Sequence, residues 1–481
     1  MRAVGPAVLV AAAWLAGSAA AADPAARAPR GAAPAPFTAA QLERARAVRD
    51  RALADDTAHD LLRSLLTEVG PRFAGTDGDA RAVAWAVARL EALGFANVRA
   101  EPVTVPRWIR GEAAAEIVAP WPQPLVAAAL GGSPATPAGG LEAEVVPVTT
   151  LAELERVPAE RVRGRIVFFT NRMKPALDGS GYGAAVAARG RGAAEAAKLG
   201  AAAVVIRSVG TSNDRIAHTG AQRMEDGPPP IPALALSNPD ADLLERQLAS
   251  GRAVRLRLRN TSSWGDSARS ANVIGEIPGR ERAGEIVVLG AHLDSWDLTP
   301  GAHDDGAGVA IVTAAAKLIG GLPVRPRRTV RVVLFANEEF GLSGARAYVR
   351  DHAAELPRHV LCMESDLGAF RPWGLASRVP HDRLPLVRAM HEVVEPLGLR
   401  FEGNEAGGGA DVGRLVELGV PALDVRTDAR PYFELHHTIN DTFDKVDPEL
   451  LRLNVAAYAA LACLAADAAA GFGRAPQAPR K

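Results

Sequence analysis

Beyond residue 272 the apolar positions of the chain fall into alternating blocks. Residues 285–290 (EIVVLG) form a short continuous apolar run, the mark of a strand buried on both faces. GAGVAIVTAAAKLIG follows and places Val309, Val312, Ala316 and Ile319 on one helical stripe. TVRVVLFAN is the next strand, LSGARAYVR the next helix and HVLCMES a third strand. Apolar strands alternating with helices predict an α/β fold with a mixed, mostly parallel sheet covered by helices on both faces. In such sheets ligands sit beyond the carboxyl ends of the strands.

The first part of the chain reads differently. Two helical stretches are expected before residue 95. The second, residues 77–93, carries Val83, Val87 and Leu90 at helical spacing, with Asp77 as its N-cap. GPRFAGT between them is a loop by its glycine and proline. From about Pro120 the texture changes. Residues 120–140 are rich in Pro and Gly, and RGRIVFF reads as a buried strand. GRGAAEAAKLGAAAVVIRS reads as helix, turn and strand, and PPPIPALALS and AVRLRLRN as two short strands. This pattern closes near Asn260. It predicts an inserted β-rich domain over 126–262, dividing a host domain made of 37–125 and 263–470.

Composition narrows the partners. Among 481 residues, Lys+Arg and Asp+Glu number 55 each, for zero formal charge. That balance argues against a nucleic-acid binder or a polybasic membrane-surface protein. Arg2, the apolar stretch AVGPAVLVAAAWLAG and the small-residue run SAAAAD have the order of a secretory signal over 1–22, cut near Ala20 to Ala22. The apolar run is shorter than the ~20 residues that span a bilayer. No later segment is expected to cross one, so the mature protein should be secreted or periplasmic, without stable membrane insertion. Residues 23–36 are expected to be a disordered spacer and 471–481 a disordered tail. Cys362 and Cys463 each lie in an apolar run, which suits buried free thiols better than a disulfide.

The chemistry gathers where the strands end. AHLDSWD brings His292 and Asp294; GAHDDGAG brings His303, Asp304 and Asp305; Glu338 and Glu339 follow the second strand; Asp366 follows the third. YFELHHTINDT adds His436, His437 and Asp441. Of the ten histidines, four lie in these segments, too many for a chance scatter. Several carboxylates on one rim repel one another by about 4 kcal/mol per pair at ~4 Å and an effective dielectric of 20. Divalent cations remove that cost. Two ions supply four positive charges, matched by three carboxylates and one bridging hydroxide, while imidazoles complete the shells. Histidine plus carboxylate without thiolate suits zinc in a catalytic site, with manganese or cobalt as alternatives. A pair of ions ~3.5–4 Å apart needs a bridging carboxylate.

These segments resemble the co-catalytic di-zinc exopeptidases. HxD, GAxDDGAG, a strand ending in NEE, another ending in ESD, and HTxxDT occur in that family's order. The family includes bacterial aminopeptidases, glutamate carboxypeptidases and the transferrin-receptor ectodomain. GAHLDSWD, MESD and the doubled histidine resemble its carboxypeptidase Q branch. The resemblance runs from about His59 to the C-terminal helix and makes the inserted block a protease-associated domain. It implies two zinc ions per chain. His292 and Asp366 would hold one, Glu339 and His437 the other, and Asp304 would bridge them. Glu338 would be the general base, with Asp294 orienting His292 and Asp305 lying behind the ligands across a cis peptide from Asp304. His436 and Tyr432 would contact substrate, Tyr432 at the oxyanion. His303 is expected to be a bystander or to support a ligand, and Asp441 to be a hydrogen-bond partner. Gly407, Gly408 and Gly409 are read as a mobile loop near the pocket or a linker, with Asp411 a weak candidate there.

The implied activity is hydrolysis of dipeptides or short peptides by a metal-bridging hydroxide, in a possible homodimer. Amino- versus carboxy-directed trimming stays open, as does aminopeptidase action on longer peptides. A non-catalytic binding ectodomain and a single-zinc glutaminyl cyclase are the readings of other classes.

Overall fold

The computed structural model describes residues 36–223 and 229–476. The expected signal, the spacer as far as residue 35 and the tail from 477 lie outside them. The described chain is a mixed α/β structure built on two eight-stranded sheets.

The first sheet runs in the order Ala96–Val105, Ala268–Ile277, Arg328–Phe335, Arg282–His292, His359–Glu364, Ala422–Thr427, Pro372–Arg378 and Arg400–Phe401. Its centre is parallel, with His292 opposite Phe335 and Gly290 opposite Glu364. Residues 286–292 are all buried, as a strand covered on both faces requires. The central strand is longer than its apolar run, Arg282–His292 against residues 285–290, because pairing continues into polar residues at both ends. One face is covered by the helices Ala307–Gly320, Pro448–Asp467 and Ala39–Ala52. Pro448–Asp467 is long and apolar enough to cross a membrane by length and composition, contrary to the sequence expectation. Most of it is buried, however, and its alanines pack close against the neighbouring helices, so it is a core helix.

All strands of the second sheet come from 113–260, in the order Gln123–Leu125, Ala113–Ala119, Arg255–Asn260, Leu141–Val148, Ile166–Phe169, Ala203–Arg207, Ala233–Leu236 and Ala127–Ala129. This differs from the expected start at 126. Ala113–Ala119 pairs with Arg255–Asn260, an antiparallel match between segments far apart in sequence. Nor is the block simply β-rich: its parallel middle is covered by the helices Ser180–Lys198 and Asn238–Leu248. A short pair, Trp108–Ile109 with Ser263–Trp264, marks where the chain enters and leaves. An aromatic cluster of Phe73, Trp108, Trp296 and Phe340 packs beside this crossing.

Smaller differences have local causes. The helix Asp77–Ala92 is capped by Thr76, whose hydroxyl accepts the Asp79 N–H, so Asp77 is its first residue and not its cap. The tail is ordered through residue 476: Phe472 is buried, and the Ala475 N–H donates to Gly419 O at 2.9 Å. Cys362 and Cys463 are free and buried.

Candidate metal centre

Three parallel strands deliver their carboxyl ends to one rim. His292 is the last residue of its strand, Glu338 and Glu339 follow Arg328–Phe335 by one short turn, and Asp366 lies two residues beyond His359–Glu364. The helix Ala307–Gly320 starts beneath them. Its entry turn carries Asp304 and Asp305, joined by a cis peptide bond. Gly308 is fixed by space, since a Cβ there would lie 2.0 Å from Ser365 O.

The carboxylate of Asp304 is divided between two groups. Its Oδ1 lies 3.2 Å from His292 Nε2, and that nitrogen lies 3.4 Å from Asp366 Oδ1. Its Oδ2 lies 3.3 Å from His437 Nε2, which is 2.9 Å from Glu339 Oε2. Ligand atoms held ~2.0–2.1 Å from a tetrahedral ion are about 3.3 Å from one another. The two sets therefore have the spacing of two four-coordinate sites sharing Asp304. Asp304 Oδ2 and Glu339 Oε1 are buried without a hydrogen-bond partner, so oxygen lone pairs at this point await a cation. The residues present fit zinc.

The electrostatics of the protein groups point the same way. Burial, reinforced by Asp366, Glu339 and Asp411, pushes Glu338 well above the usual carboxylate range. Burial and the Asp304 charge take Glu339 to about 7, and burial raises Asp366. Burial would lower His437, but Glu339 and Asp304 bring it up to about 9. Asp304 is also buried, yet the neighbouring His292 and His437 imidazoles hold it well below its usual value. Acids that resist ionising beside imidazoles that hold protons form a donor set short of positive charge.

The surrounding residues set this geometry. Asp305 Oδ2 accepts the His292 N–H at 3.0 Å and its Oδ1 accepts the Gly308 N–H at 3.0 Å, tying strand end to helix start. Asp441 accepts the His303 and Asp304 N–H groups at 2.7 and 3.0 Å, so it grips the backbone of the acidic turn. His303 turns away, stacked on Phe370 at 4.2 Å. His436 stacks on His437 at 3.5 Å, with Nε2 3.8 Å from Asp304 Oδ2, closer to the second set than a substrate contact requires. Together with Asp304 and His437 it forms a group able to hold an ion. Tyr432 is buried and lines the cavity of about 260 Å³ that also holds Asp304, Glu338, Glu339, Asp366 and His437.

With this geometry in place, comparison with known proteins is direct. Residues 272–462 match the model of peptidase family M28. Carboxypeptidase Q of Rattus norvegicus is 36% identical over 410 residues, covering 85% of each chain. The chain belongs to peptidase family M28. A crystal structure of a peptidase M28 precursor from Shewanella amazonensis superposes with a TM-score of 0.89 at 47% identity, covering 92% of this chain and 99% of that one. A zinc aminopeptidase from Bacillus subtilis shares the fold, with a TM-score of 0.60 at 21% identity over 84% of this chain and 93% of its own.

In this M28 chain Asp294 meets His292 more closely through its backbone carbonyl than through its carboxylate. His292 Nδ1 meets the backbone Asp294 O at 3.1 Å, while the carboxylate oxygen is 3.7 Å away. That carboxylate is engaged elsewhere, accepting the Glu338 and Glu339 amides at 3.0 and 3.3 Å. The glycine loop is not a linker, because two acids on neighbouring strands hold its backbone. Glu364 accepts the Ala410, Asp411 and Val412 N–H groups, and Asp424 those of Gly407 and Gly408.

Other residues escaped the sequence. Arg72, in GPRFAGT, is fully buried and donates to Leu293 O, Pro300 O and Gly301 O beneath the acidic turn. It sets a positive charge near Asp294, Asp305, Asp441 and Asp304. The second block also reaches the site. The Thr219 N–H donates to His437 O at 3.0 Å, and Thr219 O lies 3.3 Å from His437 Nδ1. These bonds hold His437 at φ 62, a left-handed backbone that a non-glycine residue adopts only when its surroundings impose it. The GPRFAGT segment offered one signal, an arginine among glycines in a chain with an acidic site; Thr219 offered none.

Proposed function

We propose that this chain is an exported, zinc-dependent exopeptidase that hydrolyses dipeptides or short peptides with two ions per chain. The observation that carries the reading is the division of Asp304, one oxygen toward His292 and Asp366, the other toward His437 and Glu339. His292, Asp366 and Asp304 Oδ1 would hold one zinc; Glu339, His437 and Asp304 Oδ2 the other. When bound, the ions polarise the scissile carbonyl and lower the pKa of a shared water.

The remaining steps belong to the protein. Glu338 lines the cavity beside the ligands and makes no ion pair there among the described residues. Its carboxylate takes a proton from the attacking water and passes it to the leaving amine nitrogen, so water is added across the C–N bond. Asp294 fixes where Glu338 starts, through its amide. Tyr432 keeps its proton, because burial raises it well above its usual value, and it would donate toward the developing oxyanion from the cavity wall. The leader-like residues 1–22 support export, and the 113–260 block is read as a protease-associated domain that also holds His437. The similarity to carboxypeptidase Q supports peptide substrates.

The test is Glu338→Gln in zinc-loaded protein. The reading expects full zinc content with turnover of a dipeptide panel lowered by about 10²–10⁴. Near-normal turnover with full zinc would remove Glu338 as the base.

A further inference from the structure

The turn that presents His437 runs from Leu435 to Thr438 and closes on a bond from the Thr438 N–H to Leu435 O at 3.0 Å. His436 has φ −44 and ψ 122, and His437 has φ 62. These angles are those of a type II turn with His437 at its third position, which favours glycine. Turning the central peptide over gives a type I turn, in which the third residue has φ about −90 and no left-handed strain. The two turns share the closing bond and differ chiefly in where the central peptide points. The oxygen of that peptide is His436 O, so the group that binds His436 O decides which turn forms.

That group is His218. The residue is fully buried, and its ring Nδ1 lies 2.7 Å from His436 O. A carbonyl oxygen only accepts, so Nδ1 carries the hydrogen and donates. Nε2 has no partner among the described residues, which leaves the bond to His436 O as the ring's single polar contact. The ring has little freedom to leave it. The His218 N–H donates to Ser208 Oγ at 2.9 Å, and Ser208 Oγ donates in turn at 2.6 Å to Leu236 O, at the end of a strand of the second sheet. On the ring's flank a Cβ at residue 210 would lie 2.1 Å from His218 Cε1, so that position is held to glycine. Thr219, the next residue, donates its N–H to His437 O and faces His437 Nδ1 with its carbonyl. Consecutive residues of the second block thus grip consecutive carbonyls of the metal-site turn. His437 Nε2 stays 3.3 Å from Asp304 Oδ2 and 2.9 Å from Glu339 Oε2.

We propose that His218 is a positioning residue for the second zinc ion: its Nδ1–H locks the central peptide of the 435–438 turn and so aims His437 at Asp304 and Glu339. This rests on the two-ion reading above and adds to it a determinant of metal affinity that lies in the 113–260 block. His218 lines neither the metal-site cavity nor a ligand set, so its replacement changes how tightly one ion is held and leaves the chemistry intact once both are bound.

The test titrates zinc into the metal-free full chain against a competing chelator, with bound zinc counted by elemental analysis. The wild type is expected to bind two ions. His218→Leu, which removes the donor, should hold one ion as the wild type does and the other about 10–100-fold more weakly. His218→Asn, whose amide N–H takes the place of Nδ1, should bring the weak site back to within about fivefold of wild type. At saturating zinc kcat of His218→Leu should return to within about threefold of wild type. In a His437→Ala background, where the turn's ligand is already gone, His218→Leu should leave the affinity of the remaining ion within about threefold; a further loss there overturns the proposal. Unchanged affinities in folded His218→Leu overturn it, as does equal weakening of both ions, and either result leaves the two-ion reading standing. Equal weakening in His218→Asn and His218→Leu makes the ring a packing element and overturns it too. A wild-type chain that binds fewer than two ions defeats the two-ion reading and the proposal with it. Should His218→Leu not fold, Ser208→Ala decides, because it frees the His218 backbone: a weakening of one ion by about three- to tenfold is expected, and unchanged affinities overturn the proposal.

Discussion

Asp294 holds Glu338 and Glu339 by their backbones: its Oδ1 accepts the Glu338 N–H at 3.0 Å and its Oδ2 the Glu339 N–H at 3.3 Å. One carboxylate thus sets the start of the turn that carries both the proposed base and a proposed ligand. Asp294→Ala removes that acceptor and leaves two amides at the site without it. The expected result is a fall in kcat of about 10–100-fold with at least one zinc still bound, checked by steady-state kinetics and elemental analysis. An unchanged kcat would show that the turn keeps its place without Asp294.

Glu364 supports the glycine loop from below. Its carboxylate accepts three backbone N–H groups, the shortest from Val412 at 2.6 Å, and a Cβ on Gly409 would lie 2.5 Å from its Cδ. Glu364→Ala leaves buried donors unpaired and is expected to cost about 3 kcal/mol or more. Ala410 lines the metal-site cavity, so KM should rise as well. Thermal unfolding and KM together check this; an unchanged melting temperature would contradict it.

A polar network on the far side of the sheet gives a pH signature. His352 lies between Glu101, 2.9 Å from its Nε2, and Glu355, 3.1 Å from its Nδ1, and Arg331 pairs with Glu355 at 2.9 Å. The hydrogen bond to Glu101 raises His352 despite partial burial. Burial would raise Glu355, but the Arg331 and His352 bonds outweigh it and bring it to about 2. The raised His352 stabilises the fold fully below its unfolded value of ~6.5, and that share is lost as pH rises through the folded value. The lowered Glu355 stabilises the fold above its unfolded value of ~4.3, and that share is lost as pH falls toward about 2. Both act together between about pH 4.5 and 6.5. The stability lost in His352→Gln should therefore be largest there, about 1 kcal/mol, and shrink as the pH rises through the raised folded value of His352. A wild-type-minus-variant difference that does not change with pH would contradict this.

The strand ends were legible because sequence-local signals mark them. Continuous apolar runs locate the parallel strands, and the polar residues just after each run must meet at one edge. His292, Glu338, Glu339 and Asp366 come together by that rule, while Asp304 and His437 were assigned through the resemblance of their motifs to the di-zinc exopeptidases. What escaped depends on segments distant in sequence. Thr219 reaches His437 across 218 positions, and Arg72 reaches Gly301 across 229. Ala113–Ala119 belongs with Arg255–Asn260 only through pairing, which apolar pattern does not reveal in short strands. Glycines in the 407–409 run suggested freedom, yet Asp424 uses the Gly407 and Gly408 amides, and Glu364 the Ala410 amide beside them, as anchor points. Asp294 was placed beside His292, but its bonds to the Glu338 and Glu339 amides were not foreseen, because they depend on a turn that sequence spacing leaves undefined.

Zinc stoichiometry tests the account most directly. Purified chain saturated with zinc and freed of excess is measured by elemental analysis, alongside Asp304→Ala. The account predicts two ions per chain in the wild type, and loss of both together with activity on chelation. In the variant both sites should weaken at once, because each uses one Asp304 oxygen. A single ion per fully active chain, or two ions retained without Asp304, would contradict it.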